Sequence, residues 1–183
     1  MSHPFANISP GRISAYLRPL VIITITILII MNVLDMPLKT DAAPNGIISF
    51  ELAGDEDTVE AILDSWDKDQ QLLASFTIGL DYLFLILYST TIALGCIWAM
   101  FYFRWINSPL FVIGSWLAWF QWLAAIFDSV ENASLMIILL GNPISPWAQI
   151  SRVLAILKFA FVFIGVLYFL VTLLMRTFRR SRR

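Results

Sequence analysis

Histidine and cysteine are nearly absent: in 183 residues the chain has His3 and Cys96 and no other residue of either kind. No disulfide can form within one chain, and neither a Cys/His zinc site nor bis-histidine haem ligation can be assembled. Charge is sparse too, at 14% of residues against 59% hydrophobic. With a mean hydropathy of +0.79, the apolar excess exceeds that of a soluble domain and points to a membrane protein. The sequence has no Walker A pattern, no G-x-G-x-x-G, no H-E-x-x-H and no G-x-S-x-G, so the common phosphate-loop, dinucleotide, zinc-protease and serine-hydrolase readings fall away. No cofactor and no nucleic-acid partner is expected, and a non-enzymatic role is the lead.

What the chain does have is long apolar runs. A helix needs about 20 mainly apolar residues to cross roughly 30 Å of hydrocarbon. Four runs meet this: about 17–38, centred on "LVIITITILIIMNVL", then about 72–103, about 110–140 and about 147–178. The fold expected is an all-α membrane protein, a single domain of four transmembrane helices in an antiparallel bundle. The last three runs exceed the minimum, so they should tilt or protrude.

Basic residues orient the helices. Arg12 and Arg18 precede or open the first run, Arg104 lies in the "RWINSP" link, and Arg176, Arg179, Arg180, Arg182 and Arg183 close the chain, with 179–183 a basic tail. The loop 39–71 instead holds nine acids and two lysines. The positive-inside rule then places both termini in the cytoplasm and the acidic loop outside. The first run could also be read as a signal peptide ending at "TDAAP". A proline just after the cut is a poor context, so a retained helix is expected.

Within the loop, "GIISFELAG" is apolar and ambiguous between a strand and an interfacial piece. "DTVEAILDSW" predicts a short amphipathic helix at about 57–66. Asp57 and Glu60 have capping-box spacing, and Val59, Ile62, Leu63 and Trp66 form one apolar stripe. Such a helix would lie on the outer ends of the bundle with Trp66 at headgroup level, or act as a lid. Trp98, Trp105, Trp116, Trp119, Trp122 and Trp147 suggest an aromatic belt.

The chemistry concentrates in charges inside the runs: Asp81, Asp128, Glu131, Arg152 and Lys158. Each costs several kcal/mol at bilayer depth, by roughly 2.5–3.5 on insertion scales. At 1.5 Å per residue, Asp81, Glu131, Asp128 and Lys158 fall roughly 13–20 Å from the outer helix ends, and Arg152 roughly 8 Å. Asp128, Glu131 and Asn132 sit at i, i+3 and i+4 and share a face. The short "GNPISP" link makes the third and fourth helices neighbours, so Lys158 can meet Asp128 or Glu131. Arg152 either joins from above or reaches to the headgroups. Three acids then face two bases, leaving one acid, with Asp81 the candidate, to take a proton, a cation, a ligand amine or a partner chain.

The segments "FELAG", "AILDSW", "GLDYLFLILYS" and "FDSVENASL" together resemble small bacterial four-helix membrane proteins of unassigned function. The resemblance spans most of the chain and implies no site residues. The lead reading is a site of Asp81, Asp128, Glu131, Asn132, Arg152 and Lys158 that binds or conducts an ion, a proton or a small amphipathic ligand. A homo-oligomer is compatible with this reading; its rivals are an accessory or assembly subunit of a larger membrane complex, with structural charges, and an intramembrane enzyme acting on a lipid-like substrate.

Overall fold

A computed structural model describes residues 3–106 and 108–181, the last three by backbone alone. All its regular elements are helical, and among the described residues there are no strands. A 3₁₀ turn at Pro4–Asn7 precedes α1 (Pro10–Asp35), and a second, Met36–Leu38, follows it. The loop contributes α2 (Ile47–Leu52) and α3 (Glu56–Ser65), and the chain continues with α4 (Lys68–Trp105), α5 (Phe111–Leu139) and α6 (Trp147–Ser181). Helices α1, α4, α5 and α6 are long and apolar enough to cross a membrane.

Local chemistry sets the helix starts. Pro10 opens α1, where a missing N–H costs nothing because that N–H has no intrahelical acceptor. α4 opens with a reciprocal cap: the Asp67 N–H donates to Gln70 Oε1 and the Gln70 N–H to Asp67 Oδ1, both at 2.8 Å. α3 is capped by Asp55, whose carboxylate accepts the Thr58 N–H at 2.9 Å. Asp57 lies inside the first turn instead. The "GIISFELAG" run is helical, because Gly46 turns the chain with φ +58° and the Asp35 carboxylate accepts the Ile47 N–H at 2.7 Å.

The chain packs as two compact units, and each long helix contributes to both. The first unit takes the described residues up to Thr24, then Leu87–Ala125, and those from Phe159 onward. Its core is Ile13, Leu17, Ala93, Leu94, Cys96, Ile97, Leu117 and Ala118. Several buried polar groups here are neutral and close on backbone or on one another, while His3 Nε2, Tyr102 OH, Trp119 Nε1 and Gln121 Oε1 have no hydrogen-bond partner among the described residues. The Gln121 amide donates to the Phe161 carbonyl at 2.9 Å and to Leu117 at 3.3 Å. Gly165 makes room for that amide, since a Cβ there would overlap it. The Thr24 and Thr91 hydroxyls pair at 2.9 Å. His3 is wholly buried against Phe5, Trp119 and Trp122. Its Nδ1 accepts the Phe5 N–H, so a neutral ring carries its proton on Nε2. Burial lowers the imidazole to about 4. Of the expected aromatic belt, Trp105 and Trp116 are exposed, whereas Trp119 and Trp122 pack around His3.

The second unit holds Ile25–Ile86 and Ile126–Lys158. Leu38, Phe50, Val59, Ile62, Trp66, Ile78, Leu135 and Ile138 build its core, so α2 and α3 are packed parts of the fold. The apolar stripe of α3 faces inward, and Glu56, Asp57, Glu60 and Asp64 are exposed. Trp66 is no headgroup anchor. It is buried, and its indole N–H donates to the Leu38 carbonyl at 2.8 Å. Of the basic tail, Arg179 and Arg180 continue the α6 backbone, while Arg182 and Arg183 lie outside the described residues.

Candidate functional site

The second unit contains a buried cluster centred on Lys158. Its ammonium Nζ donates to Asp128 Oδ1 at 2.7 Å and to Glu131 Oε1 at 2.9 Å. It also lies 3.4 Å from Glu51 Oε2. Asp128 and Glu131 reach it together because three residues on a helix bring two side chains onto one face. Glu51 comes from α2 and is positioned through its own backbone, whose carbonyl accepts the Ser151 hydroxyl at 3.2 Å. The Glu51 carboxyl also stands in hydrogen-bonding range of Glu131.

Beside this centre, Asn132 Nδ2 donates to Asp81 Oδ2 at 2.6 Å. Asn132 is one turn beyond Asp128 on α5, so Asp81 of α4 docks next along the same face. The next residue, Tyr82, donates its hydroxyl to the Ser129 carbonyl at 3.0 Å and pins α4 against α5 at this level.

Of the six residues expected at the site, the structure brings Asp128, Glu131 and Lys158 into one contact set and pairs Asp81 with Asn132. Arg152 stands apart: it is exposed, and its side chain lies over Gly54. Gly54 has φ +75°, and a Cβ there would strike the Arg152 stem. The participant that sequence reasoning missed is Glu51. It was counted among the nine acids of the loop, yet it is the lone charge between Asp41 and Asp55 and sits in an apolar run. That is the same signal that marks Asp128 and Glu131. Asp35 was passed over in the same way at the end of the first run.

The charge count is therefore steeper than three acids to two bases. Three carboxyl groups, Asp128, Glu131 and Glu51, gather around the ammonium of Lys158, and a fourth, Asp81, stands beside them on Asn132. Burying even a balanced pair carries a desolvation penalty of several kcal/mol per ion, which only close contacts offset. Three uncompensated negative charges in this setting would be far costlier. Burial pushes the Glu51 carboxyl above the usual glutamate range, with Lys158 opposing that rise and Asp128 adding to it. Two buried oxygens, Glu51 Oε2 and Glu131 Oε2, receive no hydrogen bond among the described residues. Nor do the acids, histidine and cysteine group there as the ligands of a metal ion would. A hollow lined by Arg104, Ser108, Pro109 and Phe111 belongs to the first unit and involves none of these groups.

No family model, curated protein or solved structure matches the chain.

Proposed function

We propose that this is a multi-pass membrane protein whose Lys158 cluster reversibly binds a proton or a small monovalent cation. One observation carries the reading: three carboxyl groups contact one buried ammonium and a fourth, Asp81, is bonded to Asn132 beside them, so among the described residues the cluster is short of positive charge. A mobile positive species completes it. In this reading α1, α4, α5 and α6 cross the bilayer. Arg12, Arg18, Arg104 and the basic tail lie on the cytoplasmic side, and the acidic loop 39–71 lies outside. Asp128 and Glu131 hold Lys158, while Asp81, bonded to the neutral amide of Asn132 and to no cation among the described residues, is the carboxyl this reading leaves for an added charge. Ionisable groups at this depth are functional by default because their insertion is so unfavourable.

The test is a count of bound protons and cations. Wild-type protein and Asp81→Asn, purified in detergent, are titrated with acid and with monovalent chloride salts. Loss of one binding step in the variant, with helicity unchanged, supports the reading. Identical titrations with a lower unfolding temperature for the variant would instead make the cluster an ion-pair network that fixes helix register.

A further inference from the structure

Resting on that reading, we propose that the mobile charge is a proton held between the carboxyl groups of Glu51 and Glu131, and that Glu51 is the group through which it reaches water. Two geometric observations meet here. The first is a pair of oxygens without a hydrogen bond, Glu51 Oε2 lying 3.4 Å from the Lys158 ammonium. Glu51 Oε2 and Glu131 Oε2 are both buried, neither receives a hydrogen bond among the described residues, and their carboxyl groups face one another. Two carboxylates placed so would repel. One proton shared between them turns the repulsion into a short charge-assisted hydrogen bond.

The second observation is a gradient of access. Of the three acids on Lys158, the side chain of Glu131 is 0% exposed, that of Asp128 3% and that of Glu51 11%. Glu51 also makes the longest contact with the ammonium, at 3.4 Å against 2.7 and 2.9 Å. It is the acid that stands on a loop element rather than on a long apolar helix. α2 has six residues, flanked by Gly46 and Gly54 in the left-handed region. A single hydrogen bond from Ser151 holds the Glu51 carbonyl, and another, to Asp35, holds the start of the helix. On the outward side of α2, Ile48 and Leu52 are already exposed. In the proposed route a displacement of this element, whose Phe50 stays in the core, wets the Glu51 carboxyl before Glu131.

The groups facing Glu51 are Lys158 from α6 and Asp128 and Glu131 from α5, with Asp81 on α4 adding its field through Asp128 and Asn132. The transfer balances. A proton leaves the Glu131 carboxyl for Glu51 Oε2, and the Glu131 carboxylate left behind keeps its 2.9 Å bond to the Lys158 ammonium. Glu51 then gives the proton to water, forming hydronium.

Infrared spectroscopy of the full-length protein reads this directly. The absorption of protonated carboxyl groups is followed at neutral pH after transfer from H2O to D2O, for wild type, Glu51→Gln and Ser151→Ala. The expected result is a protonated-carboxyl band in wild type whose residual part exchanges about tenfold or more slowly in Glu51→Gln, the loss typical of removing a proton-transfer group. Ser151→Ala, which keeps every carboxyl and frees α2, should exchange severalfold faster than wild type. A residual band in Glu51→Gln that exchanges at the wild-type rate overturns the portal and leaves the cation-short cluster standing. Absence of any protonated-carboxyl band in wild type removes the shared proton, and absence of any acid or cation binding step removes the underlying reading. If Glu51→Gln does not fold or its band vanishes, Ser151→Ala decides, and an unchanged rate there refutes the route.

Discussion

Gln121 and Lys158 are both buried polar side chains on long apolar helices, one in each unit, and their donors are satisfied in different ways. Gln121 is neutral and donates to two backbone carbonyls within reach, so it needs only one neighbouring helix, α6. Lys158 is charged and collects acids from α5 and from the loop helix α2. The difference is one of charge: the first unit buries an amide, hydroxyls, a thiol and an imidazole, and the second buries an amide and hydroxyls too but also gathers carboxylates around an ammonium. A neutral group can be closed locally by one hydrogen bond, worth roughly 0.5–1.5 kcal/mol net. A buried charge must be closed collectively, and the removal of one member exposes the others to the full cost of desolvation. The second unit should therefore be brittle toward single substitutions and tolerant of concerted ones.

The largest effect that tests this contrast is Lys158→Met. It strands Asp128 and Glu131 and should cost about 3–5 kcal/mol, the range for breaking a buried pair. Adding Asp128→Asn and Glu131→Gln should restore most of the loss in detergent unfolding measurements. A triple variant no more stable than the single one would break the comparison. In the first unit, Gly165→Ala forces Gln121 to move and should cost about 1–3 kcal/mol, as overpacking does. Gln121→Ala on that background should recover part of it, because the clash is with one side chain and Ile92 is the remaining close neighbour.

Acidity sharpens the contrast because the two units respond with opposite sign. His3 is held neutral, lowered to about 4 from 6.5. The unfolded chain then binds more protons in that window, so its contribution is complete above pH 6.5 and is lost as pH falls toward 4. The loss is at most roughly 3 kcal/mol at 1.36 per unit. Glu51 is raised above 4.5, so the folded state binds more protons there and its contribution declines as pH rises above 4.5. Site-resolved amide exchange should show protection around His3 weakening in acid and protection around α2 strengthening, with His3→Phe flattening the former. The smallest effect is Asp55→Ala, which removes the α3 cap and should raise amide exchange in the first turn of α3 without altering α4.

The four long helices were legible because each is a run of apolar residues longer than any local competitor, a property that tertiary contacts do not alter. The meeting of Lys158 with Asp128 and Glu131 was legible for a related reason: helical spacing fixes the face and the short link fixes the neighbour. Glu51 was not, since it sits on a loop whose path depends on Asp35 binding the Ile47 N–H and on Ser151 holding a carbonyl a hundred residues away. The cap of α3 was misplaced by two residues because Asp55 and Asp57 are chemically equal candidates, and backbone geometry alone separates them. Burial of His3 depends on Ser115, Trp119 and Trp122, more than a hundred residues along the chain, and no local pattern foretells it.

The contact between the Trp66 indole and the Leu38 carbonyl has a consequence for the order in which the chain is assembled. α1 is the least enclosed of the long helices, with 6% of its most apolar stretch buried. Its far end is fastened by Trp66 and by Gln70, whose side-chain amide donates to the Pro37 carbonyl at 2.6 Å. Both lie 28 or more residues further along the chain. During synthesis α1 emerges ahead of its own latch and must wait until the loop has been made. Its seating is thus a late event that waits for residues 66–70, and a chain interrupted before that point would leave the far end of α1 without its latch.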